Sequence, residues 1–404
     1  FGGGPMTNPR YAGEDDLIQG DAFLARFTSA GGFVYQKQIA TTEAAQINVA
    51  AGADGDTYVF SGFGDYADLG DGVRVTSTTA QYDTLFARID AAGNVVVAER
   101  LPDSNGAPLV RDALGMTVAP SGDVYVWGLE SVESDEMHVY VTRLTPDGEV
   151  VWSRTAAATD GLLFVTSGYG SAAALPNGGI ALSITYFGDG ADEASIDFGD
   201  GALAVVPAGQ GSAAFVAAYD DAGTALFARS LGQADGPSGP SGYDVGLSAG
   251  GDGTLYAIGY YEGTVDVGTG PMSGAPGTYV AALGLDGSTK WATNLEGVEA
   301  GAVAPTPSGG VVVSLTCDTA CNFGAGPIDT SAGLPLVLVE LDAAGNLTKS
   351  TSFGPGDVYG ETLAVDPSGA IVVAGTLLDS VDICGDDLWS AGDRDMFVAR
   401  LAPL

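Results

Sequence analysis

The stretch Asp21-Ala-Phe-Leu-Ala-Arg-Phe-Thr-Ser-Ala-Gly31 combines an alternating apolar strand with a tight turn that ends in glycine. The same pattern returns along the whole chain, and the position of Arg26 recurs at Arg88, Arg143, Ala218, Ala282, Glu340 and Arg400. The spacings are 62, 55, 75, 64, 58 and 60 residues, and in the six complete copies a glycine follows five residues later. A period of this length predicts a repeat architecture.

A second hairpin lies between successive copies of the first one. Its turns read Ala53-Asp-Gly-Asp56, Pro120-Ser-Gly-Asp123, Pro176-Asn-Gly-Gly179, Gly251-Asp-Gly-Thr254, Pro307-Ser-Gly-Gly310 and Pro367-Ser-Gly-Ala370. Such Asp-Gly, Asn-Gly and Ser-Gly pairs supply the positive φ angles that short hairpin turns need. β-Branched and aromatic residues alternate beside the turns, as at Tyr125 and Trp127. Each repeat is therefore expected to hold four short strands.

Four-stranded units that repeat along a chain are typical of a β-propeller. We therefore predict an all-β chain, a β-propeller of four-stranded blades, as a single domain over residues 1–404 with repeats near 26, 88, 143, 218, 282, 340 and 400. A β-sandwich would explain the strands but not one motif recurring through the entire chain, and the repeats of a parallel β-helix are much shorter. Six blades are visible in the sequence. The alternative is seven blades, with the first strands preceding Phe1 and absent from this chain.

A glycine-rich linker joins the two hairpins of a repeat. Its copies are Phe1-Gly-Gly-Gly-Pro-Met6, Leu69-Gly-Asp-Gly-Val73, Phe198-Gly-Asp-Gly-Ala202, Val267-Gly-Thr-Gly-Pro-Met272 and Phe323-Gly-Ala-Gly-Pro-Ile328. No Lys-Ser/Thr pair follows these glycines and no helix is expected after them, which disfavours a phosphate-binding loop. The pattern instead predicts a surface turn between strands.

These motifs together resemble a known class of protein. The Pro-Ser-Gly turns at Pro307 and Pro367 alternate with Phe-Gly-x-Gly linkers and hairpins such as Phe86-Ala-Arg-Ile-Asp-Ala-Ala-Gly93, an arrangement similar to secreted bacterial β-propeller repeat proteins, including the seven-bladed repeat class. The hairpins Asp147-Gly-Glu-Val-Val-Trp152 and Asp286-Gly-Ser-Thr-Lys-Trp291 are similar to those of quinoprotein repeats. The resemblance covers essentially the whole chain and implies the fold, but propellers carry many unrelated activities. Nothing outside the hairpin matches quinoproteins, so no quinone-binding residue carries over.

The chain is strongly acidic. Its 51 Asp and Glu residues face 14 Lys and Arg, which gives a formal net charge of −37. Such a field repels nucleic acid and anionic membrane surfaces, and no run of 18 apolar residues predicts a membrane span. Four of the seven equivalent positions nevertheless carry arginine, and we expect these arginines to pair with aspartates between blades. A ring of anion-binding arginines is the alternative.

Three cysteines bear on where the protein works. Cys317 and Cys321 lie four residues apart in one loop, and Cys384 lies in the corresponding linker of the next repeat. A disulfide fits an extracellular chain, and either Cys317–Cys321 or Cys321–Cys384 is the candidate pair. Zinc is disfavoured because His138 is the only histidine and lies far away in sequence. We expect a secreted or cell-surface location, with extracellular proteins, glycans or further copies of the chain as partners.

Calcium is the one cofactor that the acidic loops suggest, and otherwise none is expected. Asp65, Asp68 and Asp71 gather on one glycine-rich loop, and Asp189, Asp192, Asp197 and Asp200 gather on another. Oxygen ligands suit this hard cation, but neither loop has the spacing of an EF-hand. No metal-ligand residue is therefore assigned.

No catalytic residue can be nominated from the sequence. His138 follows an acidic segment at the start of a strand, and no Gly-x-Ser-x-Gly elbow occurs. With so many acids, some carboxylate pair always meets the spacing of a glycosidase, so none stands out. We therefore predict a protein that is not an enzyme.

Two functions remain at this level. The first is a structural protein, a subunit of a surface layer, fibre or adhesive matrix that is joined by strand complementation at its termini. The second is a ligand-binding propeller module that holds carbohydrate, peptide or calcium in the loops of one face. The variable segments 160–169 and 187–196 favour the second function.

Overall fold

A computed structural model describes residues 4, 22–41, 47–78, 83–101, 111–131, 137–158, 162–164, 170–188, 195–204, 212–231, 246–261, 263–317, 321–324, 326–331, 333–354, 356–378, 380–383, 385–392 and 394–404. The regular structure of these residues consists of β-strands. The chain divides into two compact units, Phe1–Ala158 (unit 1) and Thr159–Leu404 (unit 2). The prediction of one domain over residues 1–404 stays a prediction.

Unit 1 contains three sheets of the predicted kind. Its strands are β1 (Ala22–Phe27), β2 (Phe33–Thr41), β3 (Ile47–Ala51), β4 (Thr57–Phe63), β5 (Tyr66–Asp68), β6 (Arg74–Thr76), β7 (Asp83–Ile89), β8 (Val95–Arg100), β9 (Arg111–Val118), β10 (Val124–Ser131), β11 (Met137–Leu144) and β12 (Val150–Ala158). The sheets have the antiparallel orders β3-β4-β7-β8 and β9-β10-β11-β12, and β1 pairs with β2 in a third.

Unit 2 contains four such sheets. Its strands are β13 (Leu162–Phe164), β14 (Gly170–Ala174), β15 (Ile180–Gly188), β16 (Ser195–Asp197), β17 (Ala202–Ala204), β18 (Ser212–Tyr219), β19 (Ala225–Leu231), β20 (Gly246–Ala249), β21 (Leu255–Tyr261), β22 (Thr264–Val265), β23 (Met272–Ser273), β24 (Gly277–Leu283), β25 (Thr289–Glu296), β26 (Val298–Pro305), β27 (Val311–Cys317), β28 (Leu336–Leu341), β29 (Leu347–Phe353), β30 (Val358–Val365), β31 (Ile371–Leu377), β32 (Ser380–Ile383), β33 (Asp386–Trp389) and β34 (Asp395–Leu401). Their orders are β14-β15-β18-β19, β20-β21-β24-β25, β26-β27-β28-β29 and β30-β31-β34.

The prediction of an all-β chain with four-stranded blades is confirmed, but the count of six blades is wrong. The described residues form seven blade sheets, five of them complete. The pair β1–β2 forms a blade sheet separate from β30-β31-β34, although both contain a strand with the repeated motif. Because pairing between distant strands decides which strands share a sheet, counting motif copies could not distinguish six blades from seven.

Neighbouring blades pack face to face through apolar side chains. Leu336 and Leu338 of β28 join the same cluster as Val358, Ile371 and Val373 of the next sheet. Their alternation along the strand places these residues on one face, while the intervening residues face the other neighbour. The core of unit 2 is thus a series of apolar layers between successive sheets.

The glycine turn of the motif hairpin has one repeated geometry. In the sheet β3-β4-β7-β8, Asp90 Oδ1 accepts hydrogen bonds from the N–H groups of Ala92 and Asn94 at 2.9 and 2.8 Å. Gly93 has a φ of 94°, and the register shifts between Arg88 and Ile89. The same register shift occurs in all six described hairpins of this kind, which are β1/β2, β7/β8, β11/β12, β18/β19, β24/β25 and β28/β29. A turn closed by a glycine bulge thus explains the glycine five residues after each motif position.

The linkers fold as predicted, at turns with positive-φ glycines. Asp197 Oδ1 accepts hydrogen bonds from the N–H groups of Gly199 and Gly201, and Asp266 Oδ1 does the same for Gly268 and Gly270. In unit 1 the linker strand β5 also pairs with β2. A linker hairpin therefore covers the outer edge of that strand, which protects it from pairing with other chains.

The arginines at the motif position bind carboxylates or backbone carbonyls. Arg143 contacts Asp123 at 2.8 Å and Arg400 contacts Asp366 at 2.8 Å. Arg88 lies 3.5 Å from Asp56 and 3.1 Å from Asp147 of the next blade. Arg26 instead donates to the carbonyl of Gly55. Pairing with aspartate is confirmed for three of the four arginines, but the expected position between blades is wrong for Arg143 and Arg400. Each of these two binds the turn aspartate of its own sheet, because that turn leads into the strand paired with the motif strand.

The Asp366 carboxylate gives a pH-dependent prediction. Hydrogen bonds from Ser368 Oγ and then from Arg400 hold the pKa of Asp366 well below its usual range. A depressed folded-state pKa stabilises the fold above the unfolded-state pKa, and this contribution is lost as pH falls through the folded-state pKa. We therefore expect Asp366→Asn to be destabilising at pH 7 and the difference from wild type to shrink under acid.

Urea unfolding at several pH values between neutral and strongly acidic measures this difference. Asp387→Asn, which changes an exposed carboxylate elsewhere in unit 2, is the control for general charge effects. A difference between Asp366→Asn and wild type that stays constant across the pH series would contradict the assignment.

Candidate functional site

Unit 2 contains a polar basin among the residues described. Its volume is about 990 Å³, and β14, β20, β26 and β30 line it. Each of these strands comes first in its blade, and the edge that has no partner strand among the described residues lies at the basin. The polar side chains at its wall are Ser171, Ser248, Glu299, Thr316, Tyr359, Glu361, Thr362 and Arg394.

β-Bulges shape two of the strands that line the basin. In β26 the register shifts between Ala300 and Ala302, and in β30 it shifts between Gly360 and Thr362. The extra residues are Gly301 and Glu361, each eight positions before the turn glycine of its hairpin. Bulges redirect side chains and are frequent beside active sites. In β30 the redirected residue is a carboxylate.

A buried hydroxyl group fixes these bulges against each other. Ser314, fully buried, accepts a hydrogen bond from the N–H of Ala302 at 2.8 Å and donates one to the carbonyl of Gly360 at 2.8 Å. A Cβ atom on Gly301 would lie 2.0 Å from that same carbonyl oxygen. The close approach of the two backbones therefore requires glycine here and gives the basin a preorganised floor.

The basin offers hydrogen-bond acceptors, donors and an aromatic ring. Glu361 is exposed to the basin, and its Oε1 accepts a hydrogen bond from Thr376 Oγ1 at 2.9 Å. The guanidinium of Arg394 lies 5.8 Å from the centre of the Tyr359 ring. Glu299 supplies a second exposed carboxylate. Such a mixture suits a polar ligand without a strong net charge.

A second feature of unit 2 is an uncovered apolar face on the last sheet. Met396 and Val398 of β34 are 57% and 54% exposed. β34 is the third strand of its blade. In each of the five complete blades, the third strand buries the residues at the same two repeat positions. These residues are Thr84 and Phe86, Val139 and Val141, Ala214 and Val216, Thr278 and Val280, and Leu336 and Leu338. We call this surface, Met396 and Val398, the β34 face.

Similar solved structures are propellers. No family model matches the chain, and no curated protein matches it. A structure of the Dos1 propeller is 12% identical with a TM-score of 0.43 and covers 89% of this chain and 72% of that one. The GH93 α-L-arabinofuranosidase of Fusarium graminearum in complex with arabinobiose is 11% identical with a TM-score of 0.44, over 82% and 88% of the two chains. The Penicillium chrysogenum α-L-arabinanase is 10% identical with a TM-score of 0.44, over 89% and 93%.

The likeness to these structures concerns the propeller fold alone. An α-L-arabinofuranosidase and an α-L-arabinanase are nevertheless among these structures, against the prediction that this chain is not an enzyme. The prediction that this chain is not an enzyme is therefore contradicted. The absence of a Gly-x-Ser-x-Gly motif did not justify that prediction. Catalytic residues that come together from several blades need not form a motif along the chain.

The predicted calcium loops are held by local hydrogen bonds. Asp68 accepts a bond from the N–H of Gly70, and Asp71 pairs with Lys37 Nζ at 2.6 Å. Asp197 closes its linker turn, while Asp189 and Asp192 lie outside the described residues. Across the described part of the chain, no three His, Cys, Asp or Glu side chains come together as a metal site. Calcium binding stays a prediction.

Of the two predicted disulfides, the pair Cys317–Cys321 forms. Cys317 bonds to Cys321, with their Cα atoms 6.3 Å apart, and Cys384 lies outside the described residues. The disulfide indicates an oxidising, extracellular environment. Among the residues that the structure places, no helix has the length and apolarity needed to cross a bilayer.

Glu361 is a candidate binding residue that the sequence did not predict. At the equivalent bulge of β9 the extra residue is Leu114, and in β26 it is Gly301. An acid at a repeat position that elsewhere holds apolar residues or glycine was a readable signal, but only an alignment of the repeats on their turn glycines would have shown it.

Proposed function

We propose that the protein is an extracellular structural subunit that assembles with further copies of itself in a surface layer, fibre or adhesive matrix. The observation that carries the proposal is the exposure of the β34 face, because a soluble blade ordinarily buries this apolar surface under the next sheet. The disulfide between Cys317 and Cys321 supports the extracellular setting.

The internal packing of unit 2 suggests what covers the β34 face. Leu336 and Leu338, the counterparts of Met396 and Val398, are covered by the following sheet, which contributes Val358 and Phe397 to the cluster. The natural partner of the β34 face is therefore another blade sheet that presents a residue equivalent to Phe397.

Such a sheet is available in a second copy. Phe23 of β1 occupies the repeat position of Phe397 and is 41% exposed. The residues at this position in the complete blades are buried; they are Leu85, Tyr140, Phe215, Tyr279 and Val337. A contact between the β34 face of one copy and the β1–β2 sheet of another joins two different surfaces. Contacts of this head-to-tail kind generate closed rings or open filaments.

Burial of this surface provides the driving force. Apolar surface contributes roughly 25 cal/mol per Å² when it is removed from water, so two large side chains at the centre of a sheet contact matter for affinity. Val398 lies on the outer strand of its sheet among the described residues, which leaves the strand edge as well as the face open to a partner.

Val398→Asp tests this interface by placing a charge at its centre. We expect wild-type protein to form multimers of the 40.5 kDa chain as its concentration rises, and the variant to remain monomeric in light scattering. Leu226→Asp is the matched control, because Leu226 is 37% exposed on the outer strand of another blade. Negative-stain microscopy of the multimers distinguishes rings from filaments.

Two results would contradict the proposed self-assembly. One is a wild-type protein that stays monomeric at high concentration. The other is an equal change of mass in Val398→Asp and Leu226→Asp, which would indicate a general effect of added charge.

A further inference from the structure

We infer that the basin of unit 2 is a binding site for a neutral oligosaccharide, with Glu361 as its principal hydrogen-bond acceptor. This inference is independent of self-assembly, since none of the basin residues lies on the β34 face. It rests on the shape of the basin, on the bulge that directs Glu361, and on the mixture of groups at the wall.

Glu361 is placed to bind hydroxyl groups. The bulge in β30 makes it the unpaired extra residue of its strand, and Ser314 holds the carbonyl of the preceding Gly360. Thr376 donates to one carboxylate oxygen at 2.9 Å, which fixes the side chain. A carboxylate has two oxygens and about four lone-pair sites, so this bond leaves capacity for the hydroxyls of a sugar ring.

The facing groups supply donors and a flat apolar surface. Arg394 has five N–H donors, and its guanidinium lies 5.8 Å from the Tyr359 ring centre. The edges of the first strands also lie at the wall, where Ser171 links two of these strands by donating to the carbonyl of Leu247 at 3.4 Å. Sugars need acceptors, donors and an apolar platform together, and this wall has all three.

Other ligand classes fit less well. An anionic ligand would meet two carboxylates at the wall and a chain of net charge −37. A metal ion would need a cluster of ligands, and the described residues contain none. An extended peptide would need a regular strand edge, but the bulges at Gly301 and Glu361 interrupt the ladder in both strands.

The size of the basin is consistent with a short oligosaccharide. Its volume of 990 Å³ lies at the upper end of the range for sites that take small molecules. Most of its wall is built from strands, and Gly301 and Gly360 bring two sheet backbones into close contact. A preorganised wall lowers the entropic cost of binding.

The test uses maltotriose, cellotriose and xylotriose as probes in isothermal titration calorimetry and saturation-transfer NMR, at up to about 10 mM. We expect at least one trisaccharide to bind the full chain. Glu361→Gln should weaken that binding by about tenfold or more, because it replaces a charged acceptor by a neutral amide. Arg394→Met should weaken it too. The control Glu296→Gln changes an exposed carboxylate of unit 2 outside the basin and should leave binding unchanged.

Three outcomes would overturn the inference. The first is no binding of any of the three probes to correctly folded wild type, checked by circular dichroism. The second is binding that Glu361→Gln and Arg394→Met leave intact. The third is Glu361-dependent binding of calcium alone, which would assign the basin to a cation.

Discussion

Trp127→Ala should lower the free energy of unfolding by about 3–5 kcal/mol, the range for removing a large buried aromatic side chain. Trp127 lies on β10 in the middle of its sheet and is fully buried. Its indole lies across Gly115 of the paired strand, where a Cβ atom would approach Nε1 to 2.3 Å. The surrounding strands are held by their hydrogen-bond ladders, so they cannot collapse into the cavity that alanine leaves.

Trp389→Ala is the matched control for this change. Trp389 is 73% exposed, so its loss removes little buried surface and should change stability by less than about 0.5 kcal/mol. Urea unfolding followed by circular dichroism compares the two variants without relying on tryptophan fluorescence. Equal effects of the two substitutions would contradict the packing of unit 1 described above.

Gly375→Ala is the second change with a large expected effect. Gly375 lies on β31 opposite Gly360, and an added Cβ would come within 1.8 Å of the Tyr359 carbonyl oxygen and 2.9 Å of its carbon. Both obstructing atoms belong to the backbone, so no side chain can rotate away. We expect a loss of about 3 kcal/mol in the free energy of unfolding, the upper end of the usual range for inserting atoms into a packed interior, because the two strands are forced apart.

The same variant should also disturb the basin, because Tyr359 and Glu361 flank the displaced backbone. Gly392→Ala is its control: a Cβ there meets no atom within 4 Å, and Gly392 does not have the positive φ that would strain alanine. Thermal unfolding of both variants measures the difference in stability, and titration with a trisaccharide measures the effect on the basin. A Gly375→Ala protein as stable as Gly392→Ala would show that the two strands do not approach so closely.

Self-assembly and sugar binding would be compatible in one subunit. The β34 face and the basin use different residues of unit 2, so Val398→Asp should leave trisaccharide binding unchanged and Glu361→Gln should leave assembly unchanged. A matrix protein with a sugar site on each subunit could attach to glycans through many weak contacts at once, which raises overall avidity.

The repeat residues show how far local patterns predict this protein. Gly93 and its equivalents predicted a glycine turn. The register shift beside Arg88 is the bulge that closes this turn. Cys317 and Cys321 could be paired because four residues of separation leave few geometries, although the competing bond to Cys384 remained open until the loop was seen. Arg143 and Arg400 were expected to meet aspartates, but the identity of each partner came only with the folded hairpins.

The sequence by itself determined the strands, the turns and the four-stranded repeat, because strand alternation and positive-φ glycines act over a few neighbouring residues. Only the tertiary structure decided that the described residues form seven blade sheets, that Glu361 reaches a basin and that Val398 is exposed. Each of these depends on strand pairing and sheet contacts between residues distant in the chain. A buried Leu338 and an exposed Val398 occupy the same position of the same motif, and Leu338 is buried because the following sheet of unit 2 packs on it.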